Sequence, residues 1–287
     1  MATDPLSIAR RLYRQGRRRR TSREESGFHS ALRFDPGAPE LVLSPHFDDA
    51  VLDVWSVLSG PGDVRVVNIF AGVPEAGRIT VWDATTGAGD SSARVAERIA
   101  EDAQALALAS REPINLGFLD AQYRKPPPPA LAAIDAAVTA AVPAVSRVYA
   151  PAGIGSHTDH VLARRYGRML LRAGVPVTLY AELPYCVLHG WPSWVDGREP
   201  DPHRDIDPFW MSFLEEVPEL PPLREASVLR LDPPAASGKL AAMRCYRTQY
   251  ACLSYGARGL LDDPEIHGYE VRWELGGSRT GTEVRGS

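Results

Sequence analysis

Apolar and polar positions alternate along this chain in a way that predicts strands and helices in turn. Short apolar runs have the length of buried strands, and between them lie longer segments of helical period. We predict five strands, at 40–44, 64–70, 114–119, 147–151 and 175–182. The clearest helices lie between them, over 93–109 and 161–173. Strands that alternate with helices in this way indicate an α/β domain with a mainly parallel sheet.

This alternation ends near residue 183. The stretch 184–234 is rich in proline and tryptophan and predicts an irregular cap or insertion. After it we expect a helix from Gly238 to about Leu253, capped by Ser237, and an edge strand over Tyr269–Trp273. We therefore divide the chain into a basic arm, one domain and a disordered tail: 1–38, 39–275 and 276–287.

Composition and charge restrict the class of protein. With 44% hydrophobic and 24% charged residues, the chain has the composition of an ordinary soluble globular protein. No apolar run approaches the ~20 residues of a membrane span. The net charge of −4 gives no general argument for nucleic acid as a partner. Three cysteines without metal-ligand spacing, and no secretory segment before them, predict a reducing cytoplasm.

One basic run departs from this charge balance. Arg10 to Arg23 reads RRLYRQGRRRRTSR, and such a run either docks on an acidic partner or forms a solvated arm. We favour the solvated arm, because charge runs usually lie in water. Only Tyr13 adds an aromatic ring, so stacking on nucleic acid is not supported.

Acidic and imidazole side chains follow the first predicted strand. Pro45 ends that strand because proline has no N–H for the ladder, and His46, Asp48 and Asp49 come directly after it. Ligands in open α/β sheets bind at the carboxyl ends of the strands. A histidine and two aspartates within four positions suit a metal such as zinc, which accepts imidazole nitrogen and carboxylate oxygen.

A second polar cluster repeats this arrangement after the fourth predicted strand. Pro151 ends that strand, and His157, Asp159 and His160 follow at the expected start of a helix. Residues three apart on a helix share a face, so both imidazoles can point across the same edge of the sheet.

The two clusters together can form a catalytic metal site if their two strands are neighbours. His46, Asp49 and His160 then give three ligands and leave a position open for water, as catalytic zinc requires. The metal lowers the pKa of that water, and Asp48, a carboxylate that is not a ligand, can take its proton. His157 is left to stabilise an oxyanion or to protonate a leaving amine.

Each of these residues on its own has a simpler explanation. A single buried histidine or capping aspartate is more often structural than catalytic, and Asp159 can simply cap a helix or orient a neighbouring imidazole. Two such clusters, each after a strand and a proline, are harder to explain by packing. Together they favour a metal site.

The clusters also resemble the motifs of a known family. Ser44–Ala50 (SPHFDDA) is similar to the PHxDD signature of the PIG-L/LmbE-like zinc-dependent N-deacetylases, and His157–His160 (HTDH) to that family's HxDH motif. Between these motifs, three other segments fall in the family's order: Asn68–Gly72, Arg98–Glu101 and Leu116–Asp120. Lys239–Gln249 resembles the family's C-terminal helix. The similarity covers about 40–183 and 237–253.

The resemblance implies a Rossmann-like sheet and a metal-activated water that hydrolyses an N-acyl group, usually acetyl on a sugar amine. It gives the zinc ligands as His46, Asp49 and His160, the general base as Asp48, and the polarising or protonating residue as His157. Arg98 and Asp120 match positions near the substrate, and Phe47, at the variable position of PHxDD, can form the floor of the pocket.

Two features bear on the substrate. The long loop 73–89 predicts a lid or binding loop, and its Trp82 can stack on a sugar or pack against the cap, as can the tryptophans of 184–234. Residue 155 is glycine where some family members have a tyrosine that assists the oxyanion. That donor is therefore missing, or its function belongs to the loop or the cap.

We expect a zinc-dependent N-deacetylase that releases acetate from an N-acetyl amino sugar or glycoside, such as an N-acetylglucosamine derivative, in the biosynthesis of a small metabolite. One alternative is a zinc amidase or esterase that acts on a non-sugar or conjugate substrate. Another is a non-catalytic, metal-binding member of the fold. The same ligands also suit iron(II) or cobalt.

Overall fold

The structure, a computed structural model, describes residues 28–256 and 259–276. The strands are β1 (Arg33–Phe34), β2 (Glu40–Ser44), β3 (Val64–Asn68), β4 (Pro113–Asn115), β5 (Ala144–Val145), β6 (Arg147–Pro151), β7 (Val177–Tyr180), β8 (Ser227–Arg230) and β9 (Tyr269–Glu274). The helices are α1 (Asp49–Asp53), α2 (Trp55–Leu58), α3 (Val81–Thr85), α4 (Ser91–Ala107), α5 (Leu131–Ala141), α6 (Thr158–Arg172), α7 (Ser193–Asp196), α8 (Asp207–Leu214), α9 (Pro233–Met243), α10 (Tyr250–Gly256) and α11 (Pro264–His267). Short 3₁₀ turns lie at Tyr185–Val187 and Leu223–Glu225.

The main sheet of the described chain runs in the order β4-β3-β2-β6-β7-β9-β8. The strands from β4 to β7 are parallel, whereas β9 is antiparallel to β7 and β8 is antiparallel to β9. Leu41, Val42 and Leu43 of the central β2 are fully buried, as expected for a parallel strand that is covered on both faces. The predicted α/β fold with a mainly parallel sheet is confirmed.

The order of the strands reverses between β2 and β6. From β2 the chain adds β3 and β4 on one side, and it then returns to add β6 and β7 on the other. The condition for a joint site, that the strands at 40–44 and 147–151 are neighbours, is met, since Val42 pairs with Tyr149. The carboxyl ends of β2 and β6 therefore border the crevice in which open α/β sheets bind ligands.

Helices pack around this crevice in two groups. Helix α6 packs on β6 and β7, with α5 against it, and α9 packs against both α1 and α4. The C-terminal helix α9 is therefore brought close to the segment that follows β2.

Two predictions for the C-terminal part are wrong. The helix expected over 238–253 is two helices: α9 begins earlier, where the Asp232 carboxylate accepts from the N–H of Ala235 at 2.8 Å, and it ends at Met243. Prolines at its first positions suit a helix start. The strand expected at an edge, β9, lies inside the sheet with Trp273 fully buried.

The stretch 184–234, predicted to be irregular, contains α7, α8 and the edge strand β8. Two of its tryptophans belong to the core. Trp210 is fully buried and donates to the carbonyl of Cys186 at 3.0 Å, and Trp191 donates to the carbonyl of Ile266 at 3.3 Å. These two rings pack the domain, so they are not available to stack on a sugar.

Residues 28–38 lie against the domain, because the N–H of Ala31 donates to Asp135 at 3.0 Å and β1 pairs with β5. The basic run Arg10–Arg23 and the tail after residue 276 lie outside the described residues. Within 28–256 and 259–276, no helix has the length and apolar character needed to cross a membrane.

Candidate metal centre

The turn after β2 is held together by its own side chains. The Ser44 hydroxyl donates to the carbonyl of His46 at 2.6 Å and accepts from the N–H of Ala50 at 3.1 Å. The N–H of His46 donates to Asp49 Oδ2 at 2.7 Å. These bonds fix the passage from strand to helix, so His46 and Asp49 face each other at the carboxyl end of β2.

Two imidazoles converge on Asp49. His46 Nδ1 lies 3.4 Å from Asp49 Oδ2, and His160 Nε2, from the first turn of α6, lies 3.4 Å from the other oxygen, Asp49 Oδ1. Each distance is close to the separation of about 3.3–3.4 Å between two ligand atoms that both lie about 2.0–2.1 Å from a tetrahedral zinc ion. The donor set of two imidazoles and one carboxylate therefore fits the metal that the sequence implies.

The other nitrogen of each imidazole is held by a carboxylate. His46 Nε2 lies 3.3 Å from Asp159 Oδ2, and His160 Nδ1 lies 3.3 Å from Glu182 Oε1. Glu182 also accepts from the N–H groups of Gly153 and Ile154, at 2.5 and 3.2 Å. Outer carboxylates of this kind fix the tautomer and the ring orientation of metal-binding histidines. They leave His46 Nδ1 and His160 Nε2 as the free nitrogens.

His157 is close enough to be considered as a ligand. One ligand atom from each of His46, His157 and His160 lies within 4.8 Å of the others. However, His157 is the N-cap of α6, and its Nδ1 accepts from the N–H of Asp159 at 3.3 Å. A backbone N–H can only donate, so in the neutral ring the proton is on Nε2. This geometry makes His157 a hydrogen-bond donor toward the cavity rather than a ligand.

A second group of possible ligands consists of His46, Asp120, His157 and Asp159. Here Asp159 is already committed, because it forms an ion pair with Arg124 and accepts from the N–H of Ala121 at 2.8 Å. The guanidinium would repel a cation at this carboxylate. The set around Asp49 is therefore the better candidate.

Acidic groups dominate the electrostatics of the centre. Burial opposes protonation of His46, but the surrounding carboxylates, Asp120 first, raise its pKa well above the usual value. Burial, followed by the Asp49 carboxylate, raises the pKa of Asp48 to about 6. Burial and the two neighbouring imidazoles lower the pKa of His157 to about 4. A buried carboxyl whose pKa is near neutrality suits proton transfer, and Asp48 makes no capping bond to α1 that would commit it elsewhere.

The nine residues proposed from the sequence line one cavity of about 420 Å³. They are His46, Phe47, Asp48, Asp49, Trp82, Arg98, Asp120, His157 and His160. The structure thus brings all of them together, and their individual roles stay predictions.

The four residues assigned to the substrate differ in their surroundings. Trp82 is 37% exposed at the rim, whereas Arg98 is 4% exposed and pairs with Asp83 at 3.0 Å. Asp120 lies on the metal side, 3.8 Å from His46 Nε2, and also accepts from the N–H of Gln122 at 3.0 Å. Phe47 is buried in the wall of the cavity.

Sequence reasoning missed two residues of the site. Glu182 lies two residues after β7 and two residues before Pro184. An acidic residue at the end of a buried strand was therefore a signal that could have found it, although here the proline follows the acid instead of preceding it. Tyr185 carries no such signal. Its ring lies over Gly155, where an added Cβ would come within 2.8 Å of Tyr185 Cδ1, and it packs edge-on against His160 with centroids 5.4 Å apart.

No protein-family model matches the chain, and no curated protein matches it. Solved structures do. A deacetylase triple mutant (Orf2*T) involved in the teicoplanin biosynthetic pathway is 26% identical, with a TM-score of 0.60 over 83% of this chain and 97% of its own. The zinc inhibited form of teicoplanin deacetylase Orf2 is 24% identical, with a TM-score of 0.60 over 82% and 97%. The A40926 pseudoaglycone deacetylase Dbv21 is 24% identical, with a TM-score of 0.58 over 84% and 98%.

The last two likenesses show a common fold, and the first adds sequence similarity across nearly the whole neighbouring chain. The two predicted metal-binding motifs meet at the strand-order reversal, with two imidazoles directed at one carboxylate. The chain is therefore similar to this deacetylase in fold and in sequence, which is consistent with the PIG-L/LmbE-like zinc-dependent N-deacetylases that its motifs resemble.

Proposed function

We propose that this protein is a metal-dependent hydrolase that removes the N-acetyl group from an amino sugar within a glycoside, in the biosynthesis of a small metabolite. One observation carries the proposal: His46 Nδ1 and His160 Nε2 both face Asp49 at 3.4 Å, while outer carboxylates hold their other nitrogens. The reaction consumes one water molecule per amide bond and gives acetate and the protonated amine.

His46, Asp49 and His160 are the proposed ligands of a divalent ion, with zinc the first candidate. Such an ion polarises a carbonyl and lowers the pKa of water. Proton transfer and stabilisation of the developing negative charge are proposed for side chains of the protein. Asp48, buried beside Asp49, accepts one proton of the attacking water and delivers it to the nitrogen of the leaving amine. The second proton of the water leaves with the new carboxyl group and is taken up by the released amine, which gives acetate and an ammonium group.

Two donors face the carbonyl oxygen in this proposal. His157 presents Nε2–H, because its Nδ1 is occupied by the N–H of Asp159. Tyr185, which fills the space over Gly155, supplies a hydroxyl from the cap segment in place of a side chain at residue 155. Donors fixed where negative charge develops stabilise the transition state more than the ground state.

The cavity supports a substrate larger than a simple N-acetyl sugar. Its volume of about 420 Å³ exceeds the space that an acetyl group fills, and its lining away from the ligands is largely apolar, with Trp82, Val95, Pro184 and Leu253. A neighbouring structure is that of a deacetylase–teicoplanin complex. We therefore propose a glycoside with an apolar aglycone as the substrate class.

The proposal is tested by metal content and acetate release. We expect about one zinc per chain in gently purified protein, loss of metal in Asp49→Ala and His160→Ala, and acetate release from aryl glycosides of N-acetylglucosamine that exceeds release from the free sugar. If acetate is released only from acetylated peptides or esters, the proposal of a sugar substrate is wrong and the alternative amidase or esterase takes its place. Absence of metal after zinc is added back would refute the hydrolase.

We propose that the reaction takes place in the cytoplasm. The cysteines of the described chain, Cys186, Cys245 and Cys252, are all free thiols, which supports a reducing compartment.

A further inference from the structure

A buried tyrosine outside the cavity is bonded to the backbone of the metal-binding turn. Tyr246 follows α9, is 1% exposed and does not line the cavity. Its hydroxyl lies 3.0 Å from the carbonyl oxygen of Phe47. The carbonyl of Phe47 and the N–H of Asp48 belong to the same peptide group. The contact therefore fixes the orientation of the peptide plane to which Asp48, the proposed base, is attached.

The same hydroxyl is the last member of a series of hydrogen-bonded, buried polar groups. Asn68 Nδ2, at the carboxyl end of β3, donates to Asp102 Oδ2 at 2.6 Å, and Asp102 Oδ1 lies 2.8 Å from the hydroxyl of Tyr246. Asn68 Nδ2 also donates to Asn115 Oδ1, on β4, at 2.8 Å. This series of hydrogen bonds links β3, β4, α4 and the segment after α9 to the turn that follows β2.

The number of available hydrogens determines which group donates in each of these hydrogen bonds. The Tyr246 hydroxyl has one hydrogen, and it faces two oxygens, those of Phe47 and Asp102. Both contacts are satisfied if Asp102 is protonated and donates to the tyrosine oxygen, which leaves the tyrosine hydrogen for Phe47. Burial raises the pKa of Asp102 to about 8, which agrees with a protonated carboxyl at neutral pH.

We propose that Tyr246, held by protonated Asp102, is a positioning residue that orients the peptide between Phe47 and Asp48 and thereby aims the Asp48 carboxylate. The inference rests on the proposed hydrolase, in which Asp48 is the base. Tyr246 touches neither substrate nor ligand, so its loss acts on kcat rather than on KM.

The chain offers a matched control. Tyr166 is also fully buried, and its hydroxyl donates to Asp135 at 3.0 Å. The variants Tyr246→Phe and Tyr166→Phe each delete one buried hydroxyl that contacts an aspartate, and only the first touches the metal-binding turn. Effects on general stability are therefore common to both variants.

The test compares kcat, KM and amide hydrogen exchange of residues 46–53 in the zinc-loaded and metal-free protein. For Tyr246→Phe we expect kcat to fall about tenfold per bound zinc, KM to stay within about twofold, and exchange in 46–53 to accelerate in both forms, since one buried hydrogen bond is lost. Tyr166→Phe should leave kcat and this exchange unchanged. Equal behaviour of the two variants would overturn the inference.

A second pair of variants keeps the test decisive if Tyr246→Phe does not fold. Asp102→Asn retains an N–H donor for the tyrosine oxygen and an acceptor for Asn68, so wild-type kcat and exchange are expected. Asp102→Ala removes both and should lower kcat at least threefold. Equal kcat in this pair would overturn the inference. If wild-type protein releases no acetate, the proposed function fails, and the exchange measurements still decide whether Tyr246 fixes the turn.

Discussion

One prediction concerns Glu182, whose carboxylate holds the proposed ligand His160 but is not itself a proposed ligand. Its carboxylate serves three neighbours: His160 Nδ1 at 3.3 Å and the N–H groups of Gly153 and Ile154 at 2.5 and 3.2 Å. In Glu182→Gln only one side-chain oxygen still accepts, and the amide nitrogen faces a donor. His160 then loses either its fixed tautomer or the loop that supports it.

Loss of such an outer partner typically weakens metal binding 10–100-fold. This corresponds to about 1.4–2.8 kcal/mol at about 1.4 kcal/mol per factor of ten. We expect that shift in the zinc Kd of Glu182→Gln, measured by competition with a chromophoric chelator at constant pH. Circular dichroism of the metal-free protein checks that the fold is retained.

The control is Glu219→Gln, which removes a carboxylate that pairs with Arg168 at 2.8 Å and does not line the cavity. Its zinc Kd should equal that of the wild type. If Glu182→Gln also binds zinc within about twofold of the wild type, while its fold is intact, the coordination through His160 Nε2 is refuted.

Three further predictions follow from the same geometry. Asp48→Asn should lower kcat by about 10²–10⁴-fold with unchanged zinc content, because it removes the base and no ligand; near-normal kcat would reassign the base. Gly155→Ala should lower the free energy of unfolding by an amount on the order of 1–3 kcal/mol, seen as a lower Tm, because φ is +86° and the new Cβ would lie 2.8 Å from Tyr185. Gly174→Ala, at φ +90° with open space around it, shows how much of this loss comes from backbone strain alone. Because folded Asp102 holds its proton up to a pKa of about 8, it should contribute stability at low pH that is lost as pH rises toward 8. The Tm of Asp102→Asn relative to wild type should therefore increase from pH 5 to pH 8, and a constant difference would contradict the raised pKa.

Local sequence was sufficient for the parts of the site that lie next to each other in the chain. Pro45 and Pro151 mark where two buried strands end, and the acidic and imidazole groups come within a few residues of each mark. Because parallel strands end at the same edge of a sheet, two such signals imply one site once the strands are neighbours. The central strands were predictable for the same reason, since a run buried on both faces is apolar throughout.

The C-terminal helix shows where this reasoning stopped. The period of residues 238–253 suits one continuous helix, yet α9 ends at Met243 and the chain turns before α10. In that turn Tyr246 reaches across 199 positions to the carbonyl of Phe47. A bond between distant segments leaves no trace in local periodicity.

The sequence by itself determined the strand-and-helix alternation, the two candidate metal-binding clusters and the chemistry that their side chains can perform, because these depend on neighbouring residues and on side-chain type. Only the tertiary structure decided which nitrogen of each histidine is free, that His157 donates while His160 coordinates in the proposed site, and that Tyr185 fills the space over Gly155. These outcomes depend on Asp159, Glu182 and a loop from the cap, whose positions follow from packing of the whole sheet. The orientation of a side chain depends on the groups that surround it in the folded protein, and these groups come from segments that are far apart in the sequence.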